Sequence, residues 1–325
     1  MKLKKVLTSI VVSTFFLSAC SLSNAPTPAP IESQPTAEPQ QMPTGIAPTE
    51  TVAPAATQQQ WMVFSSNRGG DYSDLYVMAL DGSGLQRLTQ GDSNHFAGPW
   101  SPDGTKIYFT GFGPLHSFVG VMNADGSGLK DLSQQSDSDE AAPALSPNGS
   151  LIAFTSRRDG NNEIYVMKAD GTVPMRLTNT PGDDFDPDWA PDGNWLVFAS
   201  DRDRTSGQYN LYIMEKDGSS VRRVTSDSGS DYSPAWSPDG KQIAFRSDQN
   251  GVSDIFVVNT DGSGLTNLTH GAGENWNPQW SKDGSQIIFQ TNRDGNWEIY
   301  IMNADGSSPT NLTNDPADDE FPNLK

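Results

Sequence analysis

Residues 235–245 read AWSPDGKQIAF, and the job assigned to Asp239 decides how the rest of the chain is read. An exposed carboxylate in a short loop fits either a reactive group or a turn. Recurrence separates the two. The string returns as SPDG after Trp100, SPNG after Leu145, APDG after Trp189 and SKDG after Trp280. Five copies of one turn, four with Asp and one with Asn148, would serve no single reaction. Asp239 is therefore predicted to be a turn residue, since Pro fixes φ ahead of it and Asp-Gly supplies the positive φ that a tight hairpin needs.

Working outward, Asp-Gly pairs at Asp81, Asp125, Asp170, Asp217, Asp261 and Asp305 stand 44, 45, 47, 44 and 44 residues apart. Each follows an apolar run such as EIYVMKADG or NLYIMEKDG and precedes RLT, DLS or NLT. A period of this length with four strand-like segments per unit is the pattern of a β-propeller. In each unit an inner strand ends at the Trp and SPDG turns the chain into a second strand. A polar loop leads to the third, and Asp-Gly turns it into a fourth that ends in LT. Third strands such as Ile164-Tyr165-Val166-Met167 are apolar on successive residues, so both faces need cover, which neighbouring blades provide. The repeated Trp then packs between blades. The first unit lacks an inner strand, and the terminal DDEFPNLK aligns with one: Pro322-Asn323-Leu324 matches Pro234-Ala235-Trp236. The predicted fold is all-β, a six-bladed propeller of four-stranded blades over residues 61–325, with the first blade closed by the C-terminal strand. Such closure protects sheet edges.

Composition agrees. The 325 residues are 34% hydrophobic and include 30 Gly and 23 Pro, which suits short strands and many turns. A formal net charge of −19 repels nucleic acid and bare anionic membrane. The single Cys excludes an intramolecular disulfide and a Cys-based zinc site. That Cys20 closes the opening MKLKKVLTSIVVSTFFLSAC, in which Lys2, Lys4 and Lys5 precede a short apolar stretch and small residues. Leu17-Ser18-Ala19-Cys20 is similar to a bacterial lipoprotein signal, which is cut before the Cys so that the sulfur carries lipid. Residues 1–19 are accordingly expected to be a signal peptide. Residues 20–60, rich in Pro, Thr, Ala and Gln, are expected to be a lipidated, disordered tether. At about 3.1 Å per residue it would reach on the order of 100 Å.

The repeats over residues 61–325 resemble the TolB-type six-bladed propeller family through WSPDG, IYVM and the following Asp-Gly. The resemblance implies the fold. It leaves function open among protein-binding modules, substrate gates fused to serine peptidases and metal-dependent polysaccharide lyases. The Pro-rich stretch Ser21–Gln60 is not expected to form the family's α/β domain ahead of the blades, and without a hydrolase domain after them the peptidase-gate reading is not expected.

The loops that lead into the inner strands share one rim of the central channel. They hold fourteen acidic residues and no Lys or Arg, so a negative field is expected there. Glu140, Asp184, Asp231, Asn275 and Asp319 recur three residues before a Pro, which points first to a structural role, accepting backbone N–H groups. Asp137, Asp139, Asp183, Asp186, Asp318 and Glu320 stand outside that recurrence and are the stronger binding candidates. All of these acids together form the predicted partner-binding set. A protein or basic peptide is the expected partner. A divalent cation is a second candidate, although no EF-hand-type ligand loop is present. His95 and His270 lie near the rim and His116 in GFGPLHSF; no metalloprotease, nucleophile-elbow or phosphate-loop motif occurs. The expected function is a non-catalytic, lipid-anchored extracytoplasmic binding module in the bacterial envelope, without a cofactor. The alternative is a metal-dependent carbohydrate-active enzyme on the same scaffold.

Overall fold

A computed structural model describes residues 59–133, 137–203, 208–226 and 229–325. The expected signal peptide, Cys20 and all but the last two residues of the tether lie outside them. The described residues form six antiparallel four-stranded sheets and no helix. Each sheet is one blade, ordered inner, second, third, fourth strand. Blade 1 joins Asp319–Leu324 to Trp61–Ser66, Asp74–Ala79 and Gln86–Arg87, so the two ends of the propeller meet in one sheet. The register sets Met62 opposite Leu324 and Ser66 opposite Asp319. The inner strands of blades 2 to 6 are His95–Trp100, Glu140–Leu145, Asp184–Trp189, Asp231–Trp236 and Asn275–Trp280.

Six apolar clusters lie between successive blades, the last joining Met62 and Phe64 of blade 1 to Ile288 and Ile299 of blade 6. This is why third strands are apolar on both faces. The fourth residue of every second strand is a fully buried Phe, at 64, 109, 154, 198, 245 and 289. Burying each such ring contributes roughly 1.5–3 kcal/mol. The repeated Trp bridges blades as expected: Trp189 Nε1 donates to Ala144 O at 3.2 Å and Trp280 Nε1 to Ala235 O at 3.2 Å.

Asp239 is a turn residue. Its Oδ1 accepts the Ser237 hydroxyl at 2.7 Å and the Lys241 amide at 3.1 Å, and Gly240 sits at φ 72°. The fourth strands differ from expectation. Each has only two residues and stops short of LT. The Thr turns back instead: Thr178 Oγ1 accepts the Ile164 amide at 2.9 Å and donates to Glu163 at 2.6 Å. Thr89 does the same at Leu75 and Asp74. A hydroxyl that serves both an amide and an acid at the start of the third strand takes the chain out of the ladder.

Each inner strand carries a β-bulge, with a Pro beside it that has no amide to leave unpaired. In five blades the residue before that Pro is left-handed without being Gly: Ala142, Asp186, Ser233, Asn277 and Phe321, with φ between 48° and 53°. These residues form the wall of the channel.

Candidate functional site

Two repeated positions build the rim where the loops enter the inner strands. The first residue of each inner strand, His95, Glu140, Asp184, Asp231, Asn275 or Asp319, is buried. In three blades this acid is held by an Arg two residues beyond the second strand. Arg68 reaches Asp319 at 2.6 Å, Arg202 reaches Asp184 at 3.0 Å, and Arg158 binds Glu140. Arg293 donates to Asn275 in blade 6 at 3.0 Å. Gly113 and Gln249 occupy the Arg position in blades 2 and 5. The guanidinium also stacks on its own blade's core; Arg202 lies 4.8 Å from both the Phe198 and Tyr212 ring centres. Glu140, Asp184 and Asp319 thus accept guanidinium and hydroxyl donors in place of the expected backbone amides.

The residue before it also follows a rule, hidden in the sequence because its identity changes. Asn94, Asp139, Asp183, Glu274 and Asp318 each accept an amide from the preceding blade: Ser73 at 2.8 Å, Ser117 at 2.9 Å, Asn162 at 2.8 Å, Ser253 at 3.3 Å and Trp297 at 3.1 Å. Ser230 does so weakly for Tyr209 at 3.5 Å. Asp139, Asp183 and Asp318 therefore follow a second recurrence, one position ahead of the first, and they tie blade to blade. Asp137 is exposed in its loop.

Of the remaining acids, Asp186 lines the channel. A cavity of about 440 Å³ occupies the channel, lined by all six inner strands. At the strands' second position the half-buried side chains are Phe96, Ala141, Phe185, Tyr232, Trp276 and Glu320. Their rings form clusters: Phe185 stacks with Tyr232 at 6.0 Å and Trp276 packs on Trp297 at 4.7 Å. Burial, with Asp318 nearby, pushes Glu320 up to about 7. Asp186 and Asp188, the third and fifth residues of the blade 4 inner strand, line the cavity. Burial raises both, Asp188 to about 6, although the Trp236 amide donates to Asp188 at 2.8 Å. Asp186 accepts the amide and hydroxyl of Ser233, each at 3.2 Å.

One cation near the mouth was not anticipated, because it comes from a second strand and not from the loops. Arg246 lies between Trp276 and Tyr232, 4.2 and 5.0 Å from their ring centres, and its Nε donates to Ser253 at 3.1 Å. It makes no ion pair among the described residues. The other blades carry Ser65, Thr110, Thr155, Ala199 or Gln290 there, and four of these accept an amide of the next inner strand. Only the break in the repeat at Arg246 signalled it.

His95 is not a rim ligand. It is buried against Phe109 at 5.5 Å, and burial lowers its pKa. His270 is exposed ahead of the blade 6 inner strand, and His116 sits in the blade 2 loop. Among the described residues no three His, Cys, Asp or Glu side chains are grouped to hold a metal.

Six four-stranded blades around a lined channel define this protein as a six-bladed β-propeller. The sequence matches the TolB beta propeller domain over residues 112–232 and 224–324, and the chain belongs to that family. A TolB homolog of Chlorobium luteolum is 34% identical over 141 residues, which is 43% of this chain and 31% of that protein. The uncharacterized peptidase YuxL of Bacillus subtilis is 27% identical over 44% of this chain and 20% of its own length. The matched region is thus under a third of either relative. The TolB crystal structure from Acinetobacter baumannii superposes with a TM-score of 0.70 at 22% identity, covering 82% of this chain and 66% of that one, which bears on the fold alone.

Proposed function

We infer that this chain is a non-catalytic binding module, held outside the cytoplasm by lipid at Cys20, that takes a protein or peptide partner at the mouth of its channel. One observation carries the reading: half-buried Phe, Tyr and Trp rings surround the mouth beside the carboxylates of Asp186 and Glu320, neither of which makes a direct ion pair among the described residues. Aromatic side chains at the centre of a patch supply most of the affinity of protein interfaces, and charges around them orient the partner. The buried acids Glu140, Asp184, Asp231 and Asp319, with the blade ties Asp139, Asp183 and Asp318, shape this mouth. Asp137, Asp186 and Glu320 meet the partner. Membership of the TolB propeller family supports a binding role in general terms.

In-cell crosslinking of the anchored protein tests the reading. Trp276→Ala together with Glu320→Gln should remove the crosslinked partner while the variant still unfolds in a single cooperative transition. An undiminished crosslinked species in that variant would place the partner elsewhere. Cys20→Ser should release the protein from the membrane fraction; continued sedimentation with membranes would contradict the anchor.

A further inference from the structure

Inside the mouth the channel has further chemistry, with Asp186 and Phe96 common to both. In a ring of six, blade 1 stands across from blade 4. Phe321 of blade 1 stacks on Phe96 of blade 2, with ring centres 4.4 Å apart and planes 15° from parallel. Phe112 packs edge-on to Phe96 at 4.8 Å. Across from this wall stand Asp186 and Asp188, and all of these residues line the same 440 Å³ cavity. No Lys, Arg or His lines it. The volume falls within the range of small-molecule sites, and an apolar wall with a few placed polar groups is their usual composition.

Comparison between blades separates what the fold requires from what it does not. At the fifth inner-strand position the other blades hold Ala144, Ala235, Gln279 and Asn323, and Pro99 in blade 2. The third position takes Ala, Ser, Asn or Phe as readily as Asp. Asp186 has a local explanation: Ala199 lacks the hydroxyl that elsewhere caps the amide of the next inner strand, and Asp186 caps Ser233 instead. Asp188 caps the Trp236 amide with one oxygen, a task that a neutral amide oxygen would do without bringing in a charge. A carboxylate turned toward a cavity with no counter-ion is costly to the fold, and the cost is removed when a cation arrives.

We propose that the channel is a binding site for a small organic amine, its ammonium on Asp188 and Asp186 and its apolar portion against Phe96, Phe112 and Phe321. The aromatic rings add a hydrophobic surface, which a bare metal ion would not use. The site does not depend on any protein partner at the mouth.

Phenethylamine is the probe, titrated calorimetrically into the intact protein at pH 7.5, with phenethyl alcohol, phenylacetate and calcium chloride as comparators. A ligand of this size is expected to bind with a Kd on the order of 1 mM. The alcohol and phenylacetate should bind at least about tenfold more weakly. Asp188→Asn, which keeps an oxygen for the Trp236 amide, should weaken phenethylamine about tenfold or more without lowering the melting temperature. Equal affinity for amine and alcohol, no saturation by the amine, unchanged binding in Asp188→Asn, or calcium binding that displaces the amine would each overturn the proposal. Partner crosslinking at the mouth is read separately, so loss of one result leaves the other standing.

Discussion

Asp184 shows how much work one buried carboxylate does at the rim. It is fully buried, with Arg202 at 3.0 Å and that Arg stacked on two core rings. Asp184→Ala strands a guanidinium against the core, and losing one partner of a buried pair costs roughly 3–5 kcal/mol. Asp137→Ala, at an exposed loop residue, should stay within about 0.5 kcal/mol of the parent. Urea titration of both variants checks this; comparable midpoints would mean that Asp184 is as idle as Asp137. These two acids look alike in a loop read as text. The turn role of Asp239 was legible because its neighbours recur letter for letter. The blade tie was not, because Asn94, Asp139, Ser230 and Glu274 share an acceptor oxygen and not an identity. Arg246 was not legible for a related reason: it belongs to a strand, whereas the acidic pattern that marks the rim lies in the loops.

At the level of elements, the blade boundaries, the inner-strand ends at Trp and the completion of blade 1 by residues 319–324 follow from the repeat alone. The extent of the fourth strand does not. A strand ending in LT and a two-residue strand followed by a folded-back Thr have the same apolar pattern, and only the hydroxyl's bonds to the third strand distinguish them. Completion of blade 1 has a direct consequence. Removing residues 318–325 deletes that blade's inner strand and the Arg68–Asp319 pair, exposing the ladder of Trp61–Ser66. This truncation should lower the melting temperature by many degrees, whereas removing residues 21–55 should leave it nearly unchanged. Equal melting temperatures for the two truncations would refute the closure.

For the molecule as a whole, two populations of carboxyls act against each other as pH changes. Asp188 and Glu320 are raised by burial to about 6 and about 7. A carboxyl that takes up its proton more readily in the folded state favours folding when protonated, so stability present below about pH 4 is lost as pH rises through 6 to 7. After solvent screening the two contribute about 1–3 kcal/mol each at most. The turn aspartates run the other way: side-chain hydroxyls and amides hold Asp103 and Asp283 down to about 2, so their stabilisation is present at neutral pH and fades as pH falls below 4. Melting temperature should therefore peak between about pH 4 and 6. Glu320→Gln should raise it by several degrees at pH 8 and little at pH 5; an equal effect at both would show that Glu320 titrates normally.

The brevity of the outermost strands reaches beyond the single molecule. Two residues such as Gln86–Arg87 or Arg222–Arg223 offer an approaching chain too few free amides and carbonyls to start a ladder. Propellers crowded together then find little backbone to pair with at these strands. Growth into ribbons or fibrils by strand addition has no template on their circumference.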